Sequence, residues 1–229
     1  MMPQMCLSDA ALRFGGTLVN PDGYFSTVSI NSRTTNSGDL FVAIEGDKYD
    51  AHSYLSSVAD KISGAVVSRP NKALDIPQWV VQDTTKALGD LARLRRDNFQ
   101  GIVVALTGSS GKTSVKEAIA MILSQANQVH ATSGNLNNHF GVPLTLLAMD
   151  SKTDIAVIEM GASAIGEIDY LSSIAKPDIA LVNNAQSAHI EGFGSLEAIA
   201  LAKAEIYKSL KSDGTAVLNL DQPWVEQWL

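Results

Sequence analysis

Ile102-Val103-Val104-Ala105-Leu106-Thr107-Gly108-Ser109-Ser110-Gly111-Lys112-Thr113 is the stretch on which the reading turns. Its first five residues are uniformly apolar, as a strand buried on both faces requires. Val115, Ile119 and Ile122 then recur at helical spacing. A buried strand, a Gly-rich turn and a helix N-terminus in that order make an anion cradle, because turn N–H groups and the helix dipole point at one place. The cradle would use residues Thr107, Gly108, Ser109, Ser110, Gly111, Lys112 and Thr113. Lys112 offers a mobile positive charge for outer phosphates, and the Thr113 hydroxyl a grip on a phosphate-bound Mg²⁺. Leu106 stands where the full G-x-x-x-x-G-K-[ST] pattern has its first glycine. That departure argues against the common GTPase and kinase loops. An ordinary strand-to-helix turn is the alternative.

Downstream, residues 155–158, 179–182 and 215–220 read as further strands, and 115–124, 167–174 and 196–210 as helices. This alternation predicts an α/β fold with a P-loop-type, mainly parallel sheet carrying helices on both faces. Upstream, residues 1–83 read as a small α/β unit, with strands over 40–44, 64–68 and 79–81 and a helix over 51–60. Residues 84–99 predict a connecting helix, capped by Asp83 or Thr84. The expected organisation is therefore 1–83, a connector over 84–99, and a central domain over 100–229. A sheet of this class usually needs more elements than follow here, and residues 224–229 read as the start of another helix. The chain is expected to be part of a longer protein.

Composition narrows the class. A chain of 229 residues holds one large domain or two small ones. No apolar run reaches 18 residues, and residues 1–9 lack the basic and apolar regions of a signal peptide. Cys6 is the only cysteine, which fits a reducing cytoplasm and leaves metal binding to oxygen and nitrogen ligands. The net charge of −7 argues against a nucleic-acid surface. Residues 99–229 carry 7 Lys+Arg and 13 Asp+Glu, yet they hold the phosphate loop. A divalent metal is the natural source of positive charge there.

Three further candidates follow predicted strands, at the edge where open α/β sheets bind ligands. Glu159 suits a Mg²⁺ carboxylate, or else a helix cap or surface acid. His189 suits a metal ligand or phosphate donor, or else an exposed loop histidine. Lys203, between Ala202 and Ala204, reads as partly buried or as a lysine on an amphipathic helix. The loop from Ser133 to Pro143, with Asn135, Asn137 and Asn138, suits a substrate rich in carbonyl and phosphate oxygens, or a plain turn.

The motifs T-G-S-S-G-K-T-S-V-K-E at 107–117, G-N-L-N-N-x-x-G-V-P at 134–143, E-M-G-A at 159–162, A-H-x-E-G-F-G-S at 188–195 and A-K-x-E-I-Y at 202–207 resemble the Mur ligases. These are ATP-dependent amide ligases of peptidoglycan synthesis. Within them the motifs resemble the MurF type, which joins D-alanyl-D-alanine to UDP-N-acetylmuramoyl-tripeptide. Ser32-Arg33 and G-D-L-F-V-A-I-E-G at 38–46 resemble its UDP-binding domain, with Asn31 where the family commonly has Asp. The resemblance implies a cytoplasmic, monomeric enzyme using ATP and Mg²⁺ through an acyl-phosphate intermediate. It implies Lys112 on the phosphates, Thr113 and Glu159 on one Mg²⁺, and His189 with a carbamylated Lys203 on a second. It implies Asn135 and Asn138 against substrate or γ-phosphate, and Ser32, Arg33, Asp47 and Lys48 near UDP. Family members run to about twice this length, so a C-terminal ligase domain is expected to be absent and the fragment inactive. Other readings are a different Mur-type or folylpolyglutamate-like ligase, or a non-catalytic nucleotide- or UDP-sugar-binding fragment. A kinase or GTPase is disfavoured by Leu106 and by the lack of an N-K-x-D motif.

Overall fold

The computed structural model describes residues 4–46, 48–187 and 193–228. The chain divides into two compact units between Leu94 and Arg95.

The first unit holds β1 (Met5–Cys6), α1 (Leu7–Phe14), β2 (Thr17–Val19), β3 (Tyr24–Phe25), β4 (Val28–Ser29) and β5 (Leu40–Val42). A 3-10 turn (Ala51–Tyr54), α2 (Leu55–Val58), β6 (Gly64–Val67) and β7 (Gln78–Val80) follow. Five strands form one sheet in the order β2-β7-β6-β5-β4. All its pairs are parallel except β2 with β7. β5 and β6 are apolar and buried at every position, the mark of a sheet covered on both faces. Phe41, Ala43, Ala65 and Val67 pack against Leu55, Val58 and Ile62. The helix expected over 51–60 is a 3-10 turn followed by one α turn, which Asp50 caps by accepting from His52 N. Gly16 sits at φ 88° where a Cβ would strike Trp79 Nε1 and Val80 O at 2.6 Å. That close approach lets Trp79 Nε1 donate to Gly15 O at 2.8 Å.

α3 (Thr84–Asp97) crosses the division between the units. Asp83 is its cap, with Oδ1 accepting from Lys86 N at 2.9 Å.

The second unit alternates β8 (Ile102–Thr107), α4 (Lys112–Leu123), β9 (Val129–Ala131), α5 (Gly141–Leu147), β10 (Ile155–Glu159) and α6 (Glu167–Ala175). β11 (Ile179–Val182), α7 (Leu196–Ala204), a 3-10 turn (Glu205–Tyr207), β12 (Thr215–Leu218) and α8 (Val225–Trp228) complete it. The sheet order is β12-β11-β8-β10-β9, and every pair is parallel. Val115, Ile119, Ala120 and Leu123 of α4 pack on Val104, Leu106, Ile155 and Val157. Alternate residues Val103, Ala105, Ala156 and Ile158 are fully buried on the other face. α4 begins three residues earlier than periodicity alone indicated, which brings Lys112 and Thr113 into its first turn. The helix expected over 196–210 tightens to 3-10 geometry after Ala204.

β9 and α5 are elements that sequence reading missed. β9 is three residues with His130 at its centre, so it lacks an apolar run. α5 starts with Gly141-Val142-Pro143, whose Gly and Pro read as turn residues. Proline is tolerated there because a first-turn N–H has no helical partner.

Candidate functional site

The parallel register sets the site. Glu159 lies beside Leu106 and Val182 beside Thr107, so the loops after β8, β10 and β11 leave one edge together. The turn from Gly108 to Gly111 enters α4 with Gly111 at φ 71°, a left-handed conformation that glycine adopts without strain. α4 has no side-chain cap, so its first-turn amides are available to an anion. Lys112 Nζ reaches back over the loop and donates to Gly108 O at 2.9 Å.

The segment after β11 braces this loop. Asn184 Oδ1 accepts from Ser109 N at 3.1 Å and Ser110 N at 3.0 Å, and its Nδ2 donates to Ser110 O. Asn183 Nδ2 also donates to Ser110 O. Ser109 Oγ and Ser110 Oγ donate to Gln186. A Cβ on Gly108 would lie 3.1 Å from Asn183 Cβ, so the two segments touch backbone to backbone. The Ser109 and Ser110 amides are thus taken by Asn184. The amides left to an anion lie at the start of α4.

Thr113 Oγ1 donates to Glu159 Oε2 at 2.9 Å. Glu159 is only 1% exposed. Two oxygen donors side by side at the strand edge match the oxygen preference of Mg²⁺. The other carboxylate oxygen, Oε1, accepts from Asn137 Nδ2 at 2.8 Å. Asn138 Oδ1 accepts from Phe140 N and Gly141 N, shaping the entry to α5. Asn135 is exposed, and its carbonyl accepts from Asn137 N at 2.8 Å.

Lys203 is 3% exposed. Burial, with Lys112 nearby, pushes its amine down to about 8, against the pull of Glu167 and Glu205. Glu205 takes Gly166 N and Asp169 N on its carboxylate, closing the start of α6 (2.9–3.1 Å). Tyr207 OH accepts from Val182 N and donates to Val217 O, joining β11 to β12. Burial raises this phenol to about 12. Gly108, Lys112, Asn138, Gly161, Glu167 and Lys203 border one cleft of about 590 Å³. His189 lies outside the described residues.

In the first unit Ser32 is half-buried, while Arg33 and Lys48 are exposed. Asp47 lies outside the described residues. Asn31 Oδ1 accepts from Arg33 N at 3.0 Å, a bond an aspartate would also make. After β5 and β6, Asp50 bonds His52 Nδ1 at 2.6 Å and Ser68 N donates to Nε2 at 2.9 Å. That pairing makes Nε2 the acceptor and Nδ1 the donor of the His52 ring. Arg69 pairs with both Glu45 and Asp50 and supplies the positive charge for this cluster. Sequence reading gave Asn137 no task of its own within its loop, and passed over Asn184 and Glu205. The N-N pair and the A-K-x-E-I-Y motif were the only signals for them.

Comparison with known proteins agrees with this geometry. The family model of the Mur ligase middle domain matches residues 106–229. The UDP-N-acetylmuramoyl-tripeptide–D-alanyl-D-alanine ligase of Escherichia coli K12 is 45% identical over 229 residues, which is all of this chain and 50% of that protein. A crystal structure of MurF from Acinetobacter baumannii aligns with TM-score 0.92 and 37% identity over 99% of this chain and 51% of that one. The MurF ligase of Thermotoga maritima, solved with ADP, aligns with TM-score 0.81 and 36% identity over 88% of this chain and 47% of its own. The chain therefore spans about half the length of the relatives it matches. With the middle-domain match covering more than half of its residues, the chain belongs to the Mur ligase family.

Proposed function

We propose that the protein to which this chain belongs is an ATP-dependent amide ligase of peptidoglycan precursor synthesis. It adds D-alanyl-D-alanine to UDP-N-acetylmuramoyl-tripeptide. The observation that carries this reading is the meeting of Lys112, the Thr113–Glu159 pair, the asparagine loop and Lys203 around one sheet edge. The chain holding them is 45% identical, end to end, to an Escherichia coli ligase of that name.

A carboxylate is a poor electrophile, and phosphorylation gives it a leaving group. The dipeptide amine then forms the C–N bond as the C–O bond to phosphate breaks. Phosphoryl transfer needs mostly positioning and charge neutralisation. Lys112 and the first-turn amides of α4 bind phosphate oxygens, and Thr113 and Glu159 hold Mg²⁺. When bound, that ion neutralises charge on the transferring group. Asn135 and Asn138 face the substrate. Lys203, with its amine near neutrality, is suited to carbamylation, which converts the cation to an anion able to join His189 on a second metal. Residues 1–83, with Ser32, Arg33, Asp47 and Lys48, bind the UDP moiety. Residues 84–99 connect this domain to the nucleotide-binding one at 100–229. A monomeric, cytoplasmic protein is part of the same reading. The lone Cys6 supports the cytoplasmic part; among the described residues, no helix is long and apolar enough to cross a membrane.

The full-length protein is expected to release ADP and phosphate only when tripeptide precursor and D-alanyl-D-alanine are both present. Turnover with a free amino acid in place of the dipeptide would overturn the assignment. Residues 1–229 alone are expected to be inactive as a ligase.

A further inference from the structure

Glu159 is held on three sides, and only one of them belongs to the phosphate loop. Its Oε2 accepts from Thr113 Oγ1, and its Oε1 accepts from Asn137 Nδ2 at 2.8 Å. Its backbone N–H donates to Thr132 Oγ1 at 2.9 Å. Thr132 O in turn accepts from Lys116 Nζ at 2.6 Å, and that lysine is only 1% exposed. Asn137 is itself fixed by two backbone bonds, from its N–H to Asn135 O and from Gly161 N to its carbonyl, both 2.8 Å. A Cβ on Gly161 would press on the Asn137 amide at 3.0 Å, so the glycine makes the seat in which that amide rests.

A buried carboxylate swings about its last torsion unless both oxygens have partners. We infer that Asn137 is a positioning residue: its amide holds Glu159 Oε1 and thereby presents Oε2, beside the Thr113 hydroxyl, to the metal. This inference rests on the reading of Thr113 and Glu159 as the Mg²⁺ pair. It assigns Asn137 a task distinct from that of its neighbours Asn135 and Asn138. It also makes the asparagine loop part of the metal site's scaffold, because one residue joins Ser133–Gly141 to Glu159–Gly161.

The test is Mn²⁺ binding to the 229-residue chain, with ADP present, followed by electron paramagnetic resonance. Wild type, Glu159→Gln, Asn137→Ala and Asn137→Ser are compared, with thermal midpoints and metal-free ADP binding measured in parallel. Loss of an outer-shell partner typically weakens metal affinity about 10- to 100-fold. Asn137→Ala is expected to weaken Mn²⁺ binding by that order while metal-free ADP binding stays within about two-fold. Asn137→Ser, gentler on the loop's fold, is expected to lie between. If Glu159→Gln binds Mn²⁺ as wild type does, the metal pair itself is wrong. If Glu159→Gln loses the ion but both Asn137 variants keep wild-type affinity, the positioning role is overturned. Equal losses of metal affinity and of metal-free ADP binding in both Asn137 variants would also overturn it, because the residue would then act only on the fold.

Discussion

Replacing Lys203 by Met should stabilise the chain at neutral pH. The amine is 3% exposed and its pKa is about 8, down from an ordinary 10.5, chiefly through burial and secondarily through Lys112. The depressed value means that the folded state holds the charged form at a cost. That gap corresponds to about 3 kcal/mol. Methionine has nearly the same length and volume, so it refills the space with little strain. The sign with pH follows from proton counts. Between about 8 and 10.5 the unfolded chain keeps the proton that the folded chain has released, so wild-type stability rises with pH through that window. The advantage of Lys203→Met should therefore be greatest at pH 7, shrink through pH 8–10, and vanish above the unfolded pKa. Urea unfolding of both proteins at pH 7, 8.5 and 9.5, in CO₂-free buffer, measures it. Trp228 is a natural probe, since its Nε1 donates to Ala200 O on the helix that carries Lys203. A variant that is less stable at pH 7, or a difference that does not change with pH, would refute the argument from burial.

Two other substitutions test the scaffold. Tyr207→Phe removes the hydroxyl between Val182 N and Val217 O and leaves a strand N–H without its partner. It should cost about 1–3 kcal/mol, and hydrogen exchange should quicken at Val182 first; unchanged exchange there would count against the bridge. Because burial holds the phenol near 12, that cost should be the same at pH 6 and pH 9. Asn184→Ala takes the acceptor from Ser110 N and leaves Ser109 N only the Asn184 backbone carbonyl, at 3.0 Å. Titration with a fluorescent ADP analogue should show weaker binding by about ten-fold, the worth of roughly 1.4 kcal/mol. Wild-type affinity would show that the loop holds its shape without the brace.

The strand edges and the phosphate loop were legible because they are local. Residues 102–106 and 155–158 are apolar without a break, and Gly111-Lys112-Thr113 follows directly. The start of α4 was misjudged by three residues because hydrophobic spacing reports only the buried face, and Lys112 to Ser114 contribute little to it. β9 and α5 escaped for a related reason. A three-residue strand bearing a histidine, and a helix opening with Gly and Pro, lack the periodicity that marks longer elements.

By itself the sequence determined the α/β class, the nucleotide loop, the family resemblance and the residue types of the candidate site. These depend on composition and spacing along one stretch of chain. Only the tertiary structure decided which asparagine meets Glu159, since Asn135, Asn137 and Asn138 are alike in chemistry and adjacent in sequence. A turn rotates neighbouring side chains in different directions, so Asn137 bonds the carboxylate while Asn138 Oδ1 accepts from Phe140 N and Gly141 N ahead of α5. Likewise only the fold made Lys203 a buried amine with a lowered pKa, because the burial and the approach of Lys112, from the other end of this unit's sequence, come from tertiary packing. The loop at 107–113 could be read from its letters. The residues that brace it, at 183–186, are more than 70 positions away, and only the parallel pairing of β8 with β11 brings them there.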